Sequence, residues 1–336
     1  MLPNGRRLGA HLPLGDGMVR AADRAAAIGA SALQVFSDNP TAWRRRAGLP
    51  PELPAFRDRL AAHGVAPLSI HAPYLVNLAG PDPVLFDRSV EVLAHELEVA
   101  DAYGASFVNV HIGSHRGDGP EAGAARLAEG LRRVQARLDG TAEGVMIVLE
   151  NGAGGGFGLG STIEELLLID RAAEAAGVDR SRVGFCFDTA HLWGAGYAID
   201  TAAGVDALLE AFDRALGLAR LRLVHLNDSR AARGSFADRH EHIGAGRVGV
   251  AGMRRLLEHP GLAHVPYVLE TPGMDDGWDE VNLRRVLDVT AGRPLADLPP
   301  VAFQARSARS RSGPAEEAAG DDGAGNEAGS RRGRSA

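Results

Sequence analysis

Six short apolar runs in this chain each end in a histidine or a carboxylate. Leu68-Ser69-Ile70 runs into His71, and Phe107-Val108-Asn109-Val110 into His111. Val145-Met146-Ile147-Val148-Leu149 ends at Glu150, and Val183-Gly184-Phe185-Cys186-Phe187 ends at Asp188. Leu221-Arg222-Leu223-Val224 gives His225, and Tyr267-Val268-Leu269 gives Glu270. Two more pieces extend the set. Asp188-Thr189-Ala190-His191 adds an imidazole just after the fourth of these runs. Asp238-Arg239-His240 places a carboxylate and an imidazole two residues apart, on one side of an extended chain. One such group at a strand end is ordinarily a satisfied cap, but six in succession are not explained that way. Four carboxylates brought together repel unless cations neutralise them. Imidazole with carboxylate suits zinc or a similar divalent metal, and the single cysteine, Cys186, leaves no thiolate alternative. Five histidines and four carboxylates are too many for one ion and fit three, with one carboxylate shared.

For these groups to meet, the runs must be parallel strands whose C-terminal ends open on one face. Strand-like segments fall at 7–12, 32–37, 68–72, 107–112, 145–150, 183–188, 221–226 and 267–270, with helical periodicity between them at 21–28, 84–102, 124–138, 162–176 and 205–216. Eight β-α alternations in roughly 290 residues predict a (β/α)8 barrel with its active site at the C-terminal face of the strands. The expected organisation is one barrel domain over residues 1–300 and a disordered tail over 301–336. From Ala305 onward there is no Val, Ile, Leu or aromatic residue, so that segment cannot bury enough apolar surface to order itself. The glycine-dense stretch 152–160 fits neither phosphate-binding glycine pattern and reads as a βα loop.

Composition narrows the chemistry. All 36 basic residues are arginine, which excludes any mechanism built on a lysine Schiff base. A formal charge of -7 argues against a phosphate-bearing partner until several of the acidic residues are placed as metal ligands. No run of 18 uncharged apolar residues exists, and the first seven residues contain no apolar signal core, so a cytoplasmic bacterial protein without a membrane span is expected. Cys186, in mid-strand, reads as inert core.

Taken together, these motifs resemble the endonuclease IV family of apurinic/apyrimidinic (AP) endonucleases. The resemblance rests on His71-Ala72-Pro73-Tyr74-Leu75, Leu149-Glu150-Asn151, Phe187-Asp188-Thr189-Ala190-His191, His225-Leu226-Asn227-Asp228-Ser229, Asp238-Arg239-His240-Glu241-His242-Ile243-Gly244 and Leu269-Glu270-Thr271-Pro272. It implies three Zn²⁺ per chain. The first would be held by His71, His111 and Glu150. The second would share Glu150 and add Asp188, His225 and Glu270, while the third would take His191, Asp238 and His240. It implies a partner, double-stranded DNA containing abasic sites, and hydrolysis of the phosphodiester 5′ to such a site. Glu150 would bridge the metal pair and Glu270 would orient the nucleophile. Tyr74 and Leu75 would wedge into the duplex, and His11, Asn39 and Arg239 would contact DNA. A monomer with no obligatory protein partner is expected. Asn227-Asp228-Ser229 reads either as support for His225 or as a plain strand-exit turn.

Three positions depart from the family pattern. Thr41 stands where an arginine is frequent, leaving Arg44, Arg45 and Arg46 either to replace that DNA contact or to form a solvated patch. Ile112 and Ala190 replace residues that are not ligands. Two rival readings remain. A metal-dependent sugar isomerase or epimerase would share the barrel but has no need of the Asp238–His240 pair. A non-catalytic binder of damaged DNA would have no need of all nine ligands.

Overall fold

A computed structural model describes residues 1–138, 140–273 and 276–304. Eight parallel strands close into a barrel in the order β1-β10-β7-β6-β5-β4-β3-β2. They are β1 (Leu8–His11), β2 (Ala32–Val35), β3 (Leu68–His71), β4 (Phe107–His111), β5 (Met146–Glu150), β6 (Val183–Asp188), β7 (Leu221–His225) and β10 (Tyr267–Leu269). Between the last two, β8 (Asp228–Ser229) and β9 (His240–Glu241) pair antiparallel as a small ribbon. The strands are apolar and buried because helices cover the barrel wall. Phe107, Val148, Cys186, Leu223 and Val268 form a separate buried cluster, so Cys186 is core, its thiol pushed up to about 12 by burial. None of the described helices is long and apolar enough to cross a membrane. The tail expected over 301–336 lies, from residue 305, outside the described residues.

Local side-chain caps start four of the described α-helices. The Asp82 carboxylate accepts the N–H groups of Val84 and Leu85 ahead of α3 (Pro83–Tyr103), and Gly104, at φ 70°, ends that helix. Thr162 caps α5 (Ile163–Ala175), and Thr201 caps α7 (Ala202–Leu216). The first helix, α1 (Met18–Ala27), begins earlier than its sequence period suggests. Its cap comes from elsewhere: the Glu52 carboxylate accepts the Met18 N–H at 2.7 Å. Helix α2 (Leu53–His63), α4 (Pro120–Arg137), α8 (Val250–Glu258) and α9 (Trp278–Thr290) complete the outer layer. A short helix, α6 (Thr189–Gly194), follows β6 directly, and its N-cap is Asp188, whose Oδ1 accepts the His191 N–H at 2.9 Å.

Barrel closure leaves no room at one position. Gly9 pairs with Ala32, and a Cβ on Gly9 would stand 1.9 Å from the Ala32 carbonyl oxygen. Backbone on both sides cannot yield as a side chain would. Gly9→Ala is expected to cost about 3 kcal/mol, at the upper end of overpacking penalties, and to lower the urea midpoint accordingly.

Candidate metal centre

Because every barrel strand is parallel, His71, His111, Glu150, Asp188 and His225 arrive at the same mouth from the last residues of β3 to β7, with Glu270 immediately after β10. His191 comes from the first turn of α6 and His240 from β9. Three groups of ligand atoms form: His71 with His111 and Glu150; Glu150 with Asp188, His225 and Glu270; and Asp188 with His191 and His240. Glu150 belongs to two of these, as does Asp188. Asp238 closes the third from the solvent side, its oxygens 3.1 Å from His240 Nε2 and 3.3 Å from His191 Nε2.

The spacings fit cations. A tetrahedral ion with bonds of about 2.0–2.1 Å sets neighbouring ligand atoms about 3.4 Å apart. Glu150 Oε2 lies 3.6 Å from His71 Nε2, 3.5 Å from His111 Nε2 and 3.5 Å from His225 Nδ1. His225 Nδ1 is 3.2 Å from Glu270 Oε2, and His240 Nε2 is 3.5 Å from Asp188 Oδ2. Glu150 Oε1, His225 Nδ1 and His240 Nε2 are buried without a hydrogen-bond partner, although each faces this cluster. Such orphaned atoms carry a desolvation penalty that a metal would remove.

For four of the five histidines the other ring nitrogen is tied down. His71 Nδ1 donates to the Ala72 carbonyl at 2.7 Å, His191 Nδ1 to that of Asn151 at 2.9 Å, and His240 Nδ1 to that of Glu270 at 2.8 Å. His225 Nε2 donates to Gln34 Oε1 at 3.0 Å. Each bond fixes a tautomer whose remaining lone pair points into the bowl. The carboxylates are held in the same way. Asn109 Nδ2 donates to Glu150 at 2.5 Å, Asn227 Nδ2 to Asp188 at 2.7 Å, and Gln34 Nε2 to Glu270 at 2.7 Å.

Gln34 and Asn109 are absent from the sequence-level site. Their signal was a lone polar side chain inside an apolar run, Asn109 lying two residues before His111 and therefore facing the same way. Asn227 does not support His225; it holds Asp188 and accepts the Glu270 N–H at 2.8 Å. Asp228 turns away and accepts the N–H groups of Gly244, Gly246 and Val248, which shapes the loop following β9.

The residues expected to meet DNA are distributed unevenly. Tyr74 is 55% exposed, its ring 5.6 Å from that of His71 and 5.8 Å from that of His111, and Leu75 beside it is half-buried. Asn39 and Arg239 are exposed, although Asn39 Oδ1 accepts the Thr41 N–H and hydroxyl, and Arg239 donates to the Asp238 carbonyl. His11 is buried beneath the bowl, its Nδ1 3.1 Å from Glu270 Oε1. Of the three arginines after Thr41, Arg45 is turned inward and is not solvated. It donates to the carbonyls of Asn39 and Ala42 and pairs with buried Glu96. Arg44 and Arg46 are exposed.

The comparisons with known proteins agree with this geometry. A family model described as the xylose isomerase-like TIM barrel matches residues 22–290. A protein named probable endonuclease 4 from Methanoculleus marisnigri is 40% identical over 282 residues, which cover 84% of this chain and 98% of that protein. One of the same name from Solibacter usitatus is 42% identical over 290 residues, covering 86% and 98%. The crystal structure of endonuclease IV from Thermus thermophilus superposes with a TM-score of 0.72 at 37% identity, covering 85% of this chain and 99% of that one. This chain belongs to the endonuclease IV family.

Two predictions concern the shell of this endonuclease IV centre. Gln34→Leu removes the partners of both His225 and Glu270, and is expected to weaken cation binding at the Glu150–Asp188–His225–Glu270 group roughly 10–100-fold in a chelator competition, with the other two groups retained. The second concerns protons. Burial disfavours charge on His240, but Asp238 and Asp188 outweigh it and push the ring up to about 10. His191 is likewise raised well above its ordinary value by Asp188 and Asp238 against the pull of burial. With cations stripped, both rings are therefore protonated at pH 7, and a metal must displace those protons. His225, raised well above its ordinary value against burial by Cys186, Glu270 and Glu150, holds a third proton, so adding Zn²⁺ to stripped protein in weak buffer at pH 7 is expected to release about three protons per chain, with affinity falling as the pH is lowered.

Proposed function

We propose that this chain is a zinc-dependent AP endonuclease. It hydrolyses the phosphodiester 5′ to an abasic site in duplex DNA, leaving a 3′-hydroxyl and a 5′-deoxyribose phosphate, as base-excision repair requires. The observation that carries this reading is the chain of three overlapping ligand groups at the barrel mouth, linked through Glu150 and Asp188. Three Zn²⁺ ions are the match to nine imidazole and carboxylate ligands with no thiolate. Such ions supply Lewis acidity, lowering the pKa of a water and neutralising charge on a phosphodiester.

The residues divide the work. Glu150, buried and held well below its usual pKa by the His111 and His225 imidazoles despite burial, stays ionised and spans the first two groups. Glu270 is fixed through Oε1 by Gln34 and His11, which leaves Oε2 facing the bowl to orient the attacking water. As that water's oxygen bonds to phosphorus, the bond to the 3′ oxygen of the preceding nucleotide breaks, and the departing oxygen takes up a proton. His191, Asp238 and His240 would hold the cation that neutralises this charge. No lysine is present to divert the reaction into a Schiff base. Tyr74, exposed and close to the rings of His71 and His111, and neighbouring Leu75 enter the duplex at the gap left by the missing base. The reaction needs only one copy of the chain, since every ligand comes from the same barrel.

A 5′-labelled duplex carrying one tetrahydrofuran abasic analogue tests this, because the analogue cannot undergo β-elimination. A single nick on its 5′ side is expected, lost after stripping with phenanthroline and restored by zinc. Intact substrate in a sample shown to hold its zinc would overturn the proposal. Asp238→Asn separates this activity from a sugar isomerase working with the first two groups alone. It is expected to slow incision roughly 100-fold through the lost stabilisation of the leaving oxygen, with the melting temperature unchanged.

A further inference from the structure

The loop between β8 and β9 exposes a large apolar side chain that the centre does not use. Phe236 is 57% exposed, and its backbone sits at φ 56°, where a bulky residue is strained. The loop is not loose. The Phe236 N–H donates to the Gly194 carbonyl and the Gly234 N–H to that of Trp193, both at 3.0 Å, while Trp193 Nε1 donates to the Ala231 carbonyl at 2.9 Å. All three bonds reach α6, the helix that carries His191. One side of the Phe236 side chain rests on bare backbone: a Cβ on Gly155 would stand 2.7 Å from Phe236 Cβ, and one on Gly154 2.8 Å from its Cδ1. A rigid seat therefore holds the ring with much of its surface facing solvent.

Its position suggests what covers it. Asp238 lies two residues further on, so the two Cα atoms are at most about 7 Å apart. A nucleic acid whose phosphodiester occupies the His191–Asp238–His240 flank brings its neighbouring nucleotides over this ring. A phenyl group cannot neutralise phosphate; it takes the face of a base or a sugar. In an intact duplex the base faces are covered by stacking, whereas loss of a base uncovers the faces beside the gap. Tyr74 follows β3 and Phe236 follows β8, so β4, β5 and β6 separate them around the mouth.

We infer that Phe236 is a second aromatic contact for the damaged duplex, stacking on a base face uncovered beside the abasic site, on the flank away from Tyr74. The inference rests on the nuclease reading. Phe236→Ala and Phe236→Trp, assayed on the tetrahydrofuran duplex, test it. Phe236→Ala is expected to raise KM roughly ten-fold with kcat within about two-fold, as loss of one stacked base predicts, and Phe236→Trp is expected to restore KM. The salt dependence of KM should not change, because no phosphate contact is removed. An unaltered KM in Phe236→Ala would overturn the inference, as would a raised KM accompanied by lower zinc content or melting temperature, which would mark the ring as a brace for the glycine loop. If the wild-type chain does not cut, the nuclease reading fails and takes this one with it; if it cuts and Phe236→Ala cuts alike, only this inference fails.

Discussion

Four carboxylates at one end of a barrel dominate the energetics of this chain. Glu150 and Asp188 are almost wholly removed from water, and Glu270 and Asp238 lie close to the same imidazoles. Ionised carboxylates in such a place cost several kcal/mol each unless positive charge or hydrogen bonds compensate them. Five imidazoles alone are a poor answer, since each can be cationic only by keeping the proton that metal binding would remove. Much of the surrounding architecture is a response to this electrostatic load.

The response begins with the parallel strand, which delivers a side chain to the mouth at its last residue and leaves the next residues free to turn. Asp188 shows how tightly the demands are combined. One of its oxygens caps α6 and thereby sets the height of His191, while the other accepts from Asn227 and faces His240. Asn227 in turn accepts the Glu270 N–H, so one buried amide supports the Asp188 carboxylate and the Glu270 backbone. Gln34 does the same for His225 and Glu270. With most of these side chains held from behind, the geometry depends little on an ion to pull it together, and a site built this way exchanges little ordering entropy for binding.

Legibility in the sequence followed the range of the interactions. Strand ends were readable because each buried apolar run must stop where a polar group begins: the run 183–188 coincides with β6, and 221–226 overshoots β7 by one residue. The histidines and carboxylates at those ends were readable for the same reason. What escaped depends on partners far along the chain. The early start of α1 is set by Glu52, the burial of Arg45 by Glu96, and the roles of Gln34 and Asn109 by groups on other strands. The ribbon of β8 and β9 is too short to show a period, and α6 is hardly longer than one turn. Asp228 was legible as part of a motif but not in its role, because the amides it accepts lie 16 to 20 residues away.

The overall charge of -7 then ceases to be a puzzle. A bowl lined by four carboxylates repels a phosphodiester, but the same bowl holding divalent cations attracts one, so part of the acidity is the means of drawing an anionic substrate. The exposure pattern agrees. The rear of the bowl, around His225, Asp188 and Glu150, is closed, whereas the His111 and Asp238 side chains remain 38% and 53% exposed. Cations seated there would be reached from solvent through those two openings. Tyr74 stands beside the first and Phe236 near the second, so apolar surface borders both openings.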